Sequence, residues 1–287
     1  MLARWIALLT AALVAAPLGA AYAAPEDDNV GGSMILATTT STVDSGLLDA
    51  LMPRFKARTG VEVKVIGVGS GAALAMAGKG DVDAVLSHAP AAEKKYVDKG
   101  DLVEGALIMH NDFIVLGPPA DPAQVKAATS LKEALTRIAA TGPFISRGDD
   151  SGTHKMELAL WKDAGIKAAD VKNRVEAGQG MGAVLNIADQ RKGYTLADRG
   201  TYFALRKSLD LAIVYEGENA LLNIYHAYVV NPARHGGIKL RQARAFVRFM
   251  ASPDTQRFIG EFRKAEFGEA LFEPDAGKSV ASLGKTR

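Results

Sequence analysis

Short apolar runs alternate with amphipathic segments along this chain, and polar, glycine-bearing stretches separate them. After the polar linker EDDNVGGS (26–33), the run MILATTT reads as a strand. In GLLDALMPRFKART the apolar residues Leu47, Leu48, Leu51, Met52 and Phe55 recur at helical spacing. Pro53 is expected to disturb that helix and Gly60 to end it. VEVKVIGV alternates like a strand, and GVGSGAA turns into a short helix near Ala72 to Ala77. VDAVLSH is another strand, and AAEKKYVDKG is a helix with a glycine stop.

The pattern restarts after NDFIVLGPP. SLKEALTRIAA reads as a helix, with Ser130 as its N-cap and Glu133 three residues on. GPFISRGDD is a strand and loop, and SGTHKMELALWKDAG a helix with Met156, Leu158, Leu160 and Trp161 at its apolar positions. GQGMGAVLNIADQRKG gives a loop, read as a flexible connection, and a helix; LDLAIVYEG gives a strand. At the end, IYHAYVVNP is a strand, and RQARAFVRFMASPDTQRFIGEF is two helices broken at Ser252-Pro253. AGKSVASLGKTR reads as a loose tail. Strand, loop and helix repeated in this order predict an α/β fold with a parallel or mostly parallel sheet. Ligands of such sheets bind outside the carboxyl ends of the strands, where both TTTST and GVGSG fall.

The 287 residues suffice for one large or two medium domains. A net charge of +2 is too small to make nucleic acid or an anionic membrane the main partner, so any positive charge that matters is local. Cysteine is absent, which excludes disulfides, thiolate metal sites and cysteine nucleophiles. Arg4, the apolar run from Trp5 to Ala16 and the small-residue site Ala21-Tyr22-Ala23 read as a secretory signal peptide spanning 1–24. The folded part is therefore expected in the periplasm.

Three loops carry candidate chemistry. In ATTTSTVDSG, the residues Thr38, Thr39, Thr40, Ser41 and Thr42 are five consecutive hydroxyls at a strand-to-helix junction. Hydroxyls donate to an anion without carrying charge, and a helix start adds free N–H groups. The plainer reading is β-propensity with a cap by Ser41 or Asp44, which accounts for one hydroxyl. In GVGSGAA, Gly67, Gly69 and Gly71 permit close backbone approach and Ser70 opens a helix; a tight turn with a serine cap explains it equally well. In ISRGDDSGTHKMELAL, Ser151 and Thr153 begin a helix, and Arg147 is able to reach back over the loop. Guanidinium pairs with oxyanions bidentately and stays charged. Alternatively Ser151 is a plain cap with Arg147 paired to Asp149 or Asp150. Either aspartate repels an anion unless it points away or pairs with Arg147 and orients it.

Neutral donors at several helix starts with a single cation suit a small multi-oxygen anion better than a nucleotide, for which no Walker-type lysine is present. The histidines, His88, His110, His154, His226 and His235, form no metal-binding spacing, and His154 is expected at the surface. No G-x-S-x-G elbow occurs.

ATTTSTVDSGLLDALMPRFKARTGVEVKVIGVGSGAAL, DVDAVLSHAPAAEKKYVDKG, NDFIVLGP, ISRGDDSGTHKMELALW and YTLADRGTY resemble the TupA-type tungstate-binding proteins, the extracytoplasmic receptors of tungstate ABC importers. The resemblance covers about Ile35 to Phe267. It implies a type II periplasmic-binding-protein fold, in which two α/β lobes are joined by two hinge strands and close on the ligand. It also implies that 34–112 and 223–287 form lobe I and 113–222 lobe II. Carried across, the hydroxyl run with Thr39, Thr40 and Ser41, and also Ser70, binds from lobe I, while Arg147, Ser151 and Thr153 bind from lobe II. The implied ligand is tungstate or the nearly isosteric molybdate, with no cofactor and no catalysis. The implied partner is the membrane permease of the importer, and the chain is expected to be a monomer. Tungstate is a fully ionised dianion, so a donor-only site fits it; phosphate keeps a proton near neutral pH and gains from a buried carboxylate acceptor. A molybdate, sulfate or phosphate receptor, a secreted enzyme acting on a phosphorylated or sulfated compound, and a sensor without transport are the alternatives.

Overall fold

The computed structural model describes residues 29–283. The signal-peptide reading of 1–24 lies outside them. The first half of the chain runs β1 (Ser33–Thr39), α1 (Thr40–Asp44), α2 (Leu47–Thr59), β2 (Glu62–Val68), α3 (Ser70–Lys79), β3 (Ala84–Ser87), α4 (Pro90–Asp98) and β4 (Leu102–Gly117). Next come α5 (Leu131–Thr141), β5 (Phe144–Ser146), α6 (Gly152–Asp163), β6 (Arg174–Glu176), α7 (Met181–Gln190), β7 (Thr195–Asp198), α8 (Arg199–Leu205) and β8 (Ala212–Tyr215). The chain closes with β9 (Leu222–Val230), α9 (Leu240–Ala251), α10 (Pro253–Glu261), α11 (Lys264–Phe267) and β10 (Glu273–Pro274).

The main sheet has the order β10-β4-β9-β3-β1-β2, with β7 and β8 also pairing with β4. The expectation of a mostly parallel sheet holds for β2, β1 and β3 in the main sheet and for the separate pair β5–β6. Strand β9 runs antiparallel to both of its neighbours, β3 and β4. It arrives from the far side of the molecule rather than through a local helix crossover, so nothing constrains it to run parallel.

Strand β4 explains the two-lobe form. Its residues Leu102 to Asp112 pair with β9, whereas Phe113 to Gly117 pair with β7 and β8. One strand therefore leaves the first lobe and enters the second, and β9 returns beside it. In the first lobe, period-two alternation divides each strand between two layers. Leu36, Leu86 and Val229 face α2 and α9, through Leu51, Phe55, Phe246 and Met250. Ala37, Val85 and Val230 face α3, through Ala73, Leu74 and Ala77. In the second lobe, Phe113 and Val115 pack on α5 and α6, while Ile114 and Leu116 pack on α7.

Several local expectations shift. Helix α2 continues through Pro53. Proline removes one backbone donor there, and the buried face of Leu47, Leu48, Leu51, Phe55 and Thr59 holds the helix together. On α6, Leu158 is exposed, and Glu157 is buried with Thr153, Leu160 and Trp161. That is the i, i+4, i+7, i+8 face of the helix. The tail is exposed from Gly277 to Ser282 and is tied down at two points: Leu283 is buried, and the Ala276 amide donates to Gln256 Oε1 at 2.9 Å.

Candidate functional site

The parallel register of β1 and β2 sets Thr38 beside Gly67 and Thr39 beside Val68, so the two loops that follow are neighbours. The hydroxyl run then forms a helix of its own, α1, instead of leading directly into α2. Its cap is Thr39, not Ser41 or Asp44: Thr39 Oγ1 accepts from the Thr42 amide at 3.4 Å and lies 2.6 Å from Thr42 Oγ1. Ser41 Oγ sits 3.2 Å from Thr39 Oγ1, and both side chains are buried. Ser70 begins α3 behind Gly69 and is fully buried.

The second lobe presents the start of α6. Ser151 caps it, accepting from the His154 amide at 3.2 Å. A serine that caps through a lone pair keeps its proton free to donate. Thr153 is buried in the first turn. Arg147 is 2% exposed; its Nε donates to the Gln179 carbonyl at 2.9 Å and its Nη2 to Asp149 Oδ2 at 2.5 Å. Asp149 Oδ1 accepts from the Ser151 amide at 3.1 Å. Burial pushes the Asp149 carboxyl up, but its bonds to Ser151 and the charge of Arg147 outweigh that and hold it below its ordinary value. Asp149 thus orients Arg147, while Asp150 turns outward to Lys155. The loop around Gln179, read as a flexible connection, is instead one of the two anchors of the guanidinium.

The two lobes meet across these loops. A Cβ placed on Gly69 would lie 3.5 Å from Ser151 Cα, and one on Gly152 only 2.7 Å from Ser70 Oγ. Thr201 Oγ1 donates to the Ser41 carbonyl at 3.4 Å, and Gly180 adjoins Thr40. The structure is therefore closed. Thr39, Thr40, Ser41 and Ser70 on one side face Arg147, Ser151 and Thr153 on the other. Ser70 Oγ and Thr153 Oγ1 at this meeting of the lobes, and Thr38 Oγ1 at the end of β1, are buried and have no hydrogen-bond partner among the described residues. Leaving a hydroxyl in that state costs about 1–3 kcal/mol.

Two buried residues join the site that the sequence reading did not assign to it. His88 follows the carboxyl end of β3, with Nε2 3.3 Å from Ser41 Oγ and its ring 4.9 Å from that of Tyr225. Burial lowers its pKa to about 4, against an opposing contribution from Asn223, so the ring is neutral. Its place at a strand's carboxyl end was the available signal. Asp198 caps α8 through the Thr201 amide at 2.8 Å and is fully buried; its Oδ2 has no partner. Its signal was an aspartate just ahead of the Arg-Gly-Thr start of a helix. His154, expected at the surface, is half-buried and accepts from the Asp150 amide through Nδ1 at 3.0 Å.

The neutral state of His88 has a measurable consequence. Above its ordinary value of 6.5 the ring is neutral folded or unfolded; between 6.5 and about 4 the unfolded chain takes a proton that the folded one refuses. Stability in urea is therefore expected to fall over that window as pH drops, and His88→Gln should lack this component. An acid loss equal in both proteins would contradict a buried neutral ring.

The PBP superfamily domain matches residues 19–254. The tungstate-binding protein TupA of Peptoclostridium acidaminophilum is 46% identical over 256 residues, which are 88% of this chain and 89% of that protein. The chain belongs to the family of TupA tungstate-binding proteins. Solved relatives agree. The tungstate ABC transporter structure from Geobacter sulfurreducens has a TM-score of 0.74 at 43% identity, covering 80% of this chain and 98% of that one. The tungstate-binding protein TupA of Desulfovibrio alaskensis G20 has a TM-score of 0.72 at 46% identity, covering 86% and 100%. The α/β type II periplasmic-binding-protein fold implied by the sequence is thus the fold of this family member, and substrate-binding proteins of transporters are its relatives.

Proposed function

We propose that this protein captures tungstate in the periplasm and delivers it to the membrane permease of an ABC importer. The observation that carries the reading is the trio of partnerless buried hydroxyls, Thr38, Ser70 and Thr153, drawn from both lobes and accompanied by the buried guanidinium of Arg147. A tetrahedral dianion accepts several hydrogen bonds at once and donates none, so it answers such a set. In this reading Thr39, Thr40, Ser41 and Ser70 bind from lobe I (34–112 and 223–287), and Arg147, Ser151 and Thr153 bind from lobe II (113–222). Molybdate is held by the same donors. The protein works as a monomer, without a cofactor and without catalysis: it moves its ligand rather than transforming it. Residues 1–24 direct export and are removed.

Asp198 favours a second reading, a receptor for a protonated oxyanion such as hydrogen phosphate, because its partnerless Oδ2 is a buried acceptor. Calorimetric titration with tungstate, molybdate, sulfate and phosphate separates the two. Tight tungstate binding with weak phosphate binding is expected; tight phosphate binding with no heat from tungstate would overturn the proposal.

A further inference from the structure

Asp198 lies at the end of β7 with no cation of its own. Its Oδ1 is occupied by the Thr201 amide, and Thr201 Oγ1 in turn braces the Ser41 carbonyl from behind, so the carboxylate backs directly onto the hydroxyl loop. Arg147, whose charge acts on Asp198, and Arg199, the next residue in the chain, are both engaged elsewhere. Arg147 is held by Asp149, and Arg199 by Asp112 and Glu216. From β9, Tyr225 faces it with a hydroxyl kept neutral by burial. From β4, the buried Asn111 adjoins it across Gly200; a Cβ there would lie 3.4 Å from Asn111 Nδ2 and 3.5 Å from Asp198 Oδ1. His88, stacked on Tyr225, is neutral.

A dianion entering this cleft meets a guanidinium whose charge Asp149 already balances, and behind it a second buried carboxylate. Two like charges in a low-dielectric site do not both persist when one of them is able to take a proton. We infer that Asp198 takes up a proton from solution when the anion binds, so that the protein carries tungstate and one proton together. The inference rests on the tungstate reading above. Burial has already moved the Asp198 carboxyl up to about 6 in the empty cleft, against the opposing Thr201 bonds and the charge of Arg147. A bound dianion moves it further in the same direction. Below about 6 the proton is present before binding and nothing is taken up. Above that value, uptake accompanies binding and affinity falls as pH rises. A protonated ligand such as hydrogen phosphate would bring its own proton to the same carboxyl, and the buffer would lose none.

The test is tungstate titration of the whole mature protein in buffers of different ionisation enthalpy, between about pH 6.5 and 8. Uptake approaching one proton per tungstate is expected, with affinity falling up to about tenfold per pH unit. Asp198→Asn should lose both the uptake and the slope while remaining folded, because asparagine caps a helix as well as aspartate does. Asp198→Ser, another cap residue, serves if the first variant is poorly folded. Asp44, whose carboxyl is also raised by burial against the opposing charge of Arg147, is the competing group, and Asp44→Asn should leave the uptake intact. Tungstate binding with no buffer dependence, or an uptake that survives in Asp198→Asn, overturns the inference and leaves the tungstate reading standing. Absence of tungstate binding by the unaltered protein overturns both.

Discussion

Arg147→Ala is expected to weaken tungstate binding by about 2–5 kcal/mol, roughly thirty-fold to several-thousand-fold. The guanidinium is buried, and two of its three nitrogens are fixed by Gln179 and Asp149. It therefore meets a ligand already oriented, with little side-chain entropy left to lose. Its removal also strands the Asp149 carboxylate beside the anion. Arg147→Ala with Asp149→Asn separates these two contributions: recovery in the double variant measures the repulsion, and the remaining deficit measures the lost contact. Arg147→Lys keeps the charge but not the planar fork, so it should recover only part of the affinity. Calorimetry that finds Arg147→Ala as tight as the unaltered protein would remove the arginine from the site.

Gly152→Ala carries the second large effect, and it removes no donor. The added methyl would stand 2.7 Å from Ser70 Oγ and 3.0 Å from the His88 ring, closer than atoms sit without something shifting. Those neighbours belong to the opposite lobe, so the strain exists only when the lobes are shut. Overpacking of this kind costs about 1–3 kcal/mol, which here falls on closure and appears as roughly five- to 150-fold weaker binding. Gly152→Val should be worse. X-ray scattering should show tungstate compacting the unaltered protein and compacting Gly152→Val less, with the melting temperature of the empty protein unchanged. Equal compaction and equal affinity would mean that Gly152 does not meet Ser70 in the loaded state.

Much of the site was legible because its parts are local. Ser151 and Ser70 stand at helix starts, and glycines beside them announce close approach. The strand-end position of the Thr38 to Thr42 run follows from the apolar residues ahead of it. His88, Asp198, Asn111 and Asn223 were not legible, since each is a single polar residue whose meaning depends on which distant loop folds against it. Asn111 and Asn223 face each other across the two crossing strands, 2.8 Å apart although 112 positions separate them in sequence. The first half of β4 was missed for a different reason. Glu104 adopts a positive φ, and the pairing with β9 slips between Val103 and Ala106, which breaks the alternation that marks a strand. The direction of β9 has no sequence signature, because it is set by where the second lobe releases the chain.

The place of β9 has a consequence for how this protein comes into being. It lies between β3 and β4, which precede it by more than a hundred residues. A nascent chain emerging amino-terminus first holds two strands with a vacancy between them until the whole second lobe has been made. The second lobe's core lies within one unbroken stretch, from Phe113 to Leu221, and it is free to assemble first. The first lobe becomes a folded body only when the last quarter of the polypeptide has appeared, so a chain intercepted earlier is still open enough to be threaded.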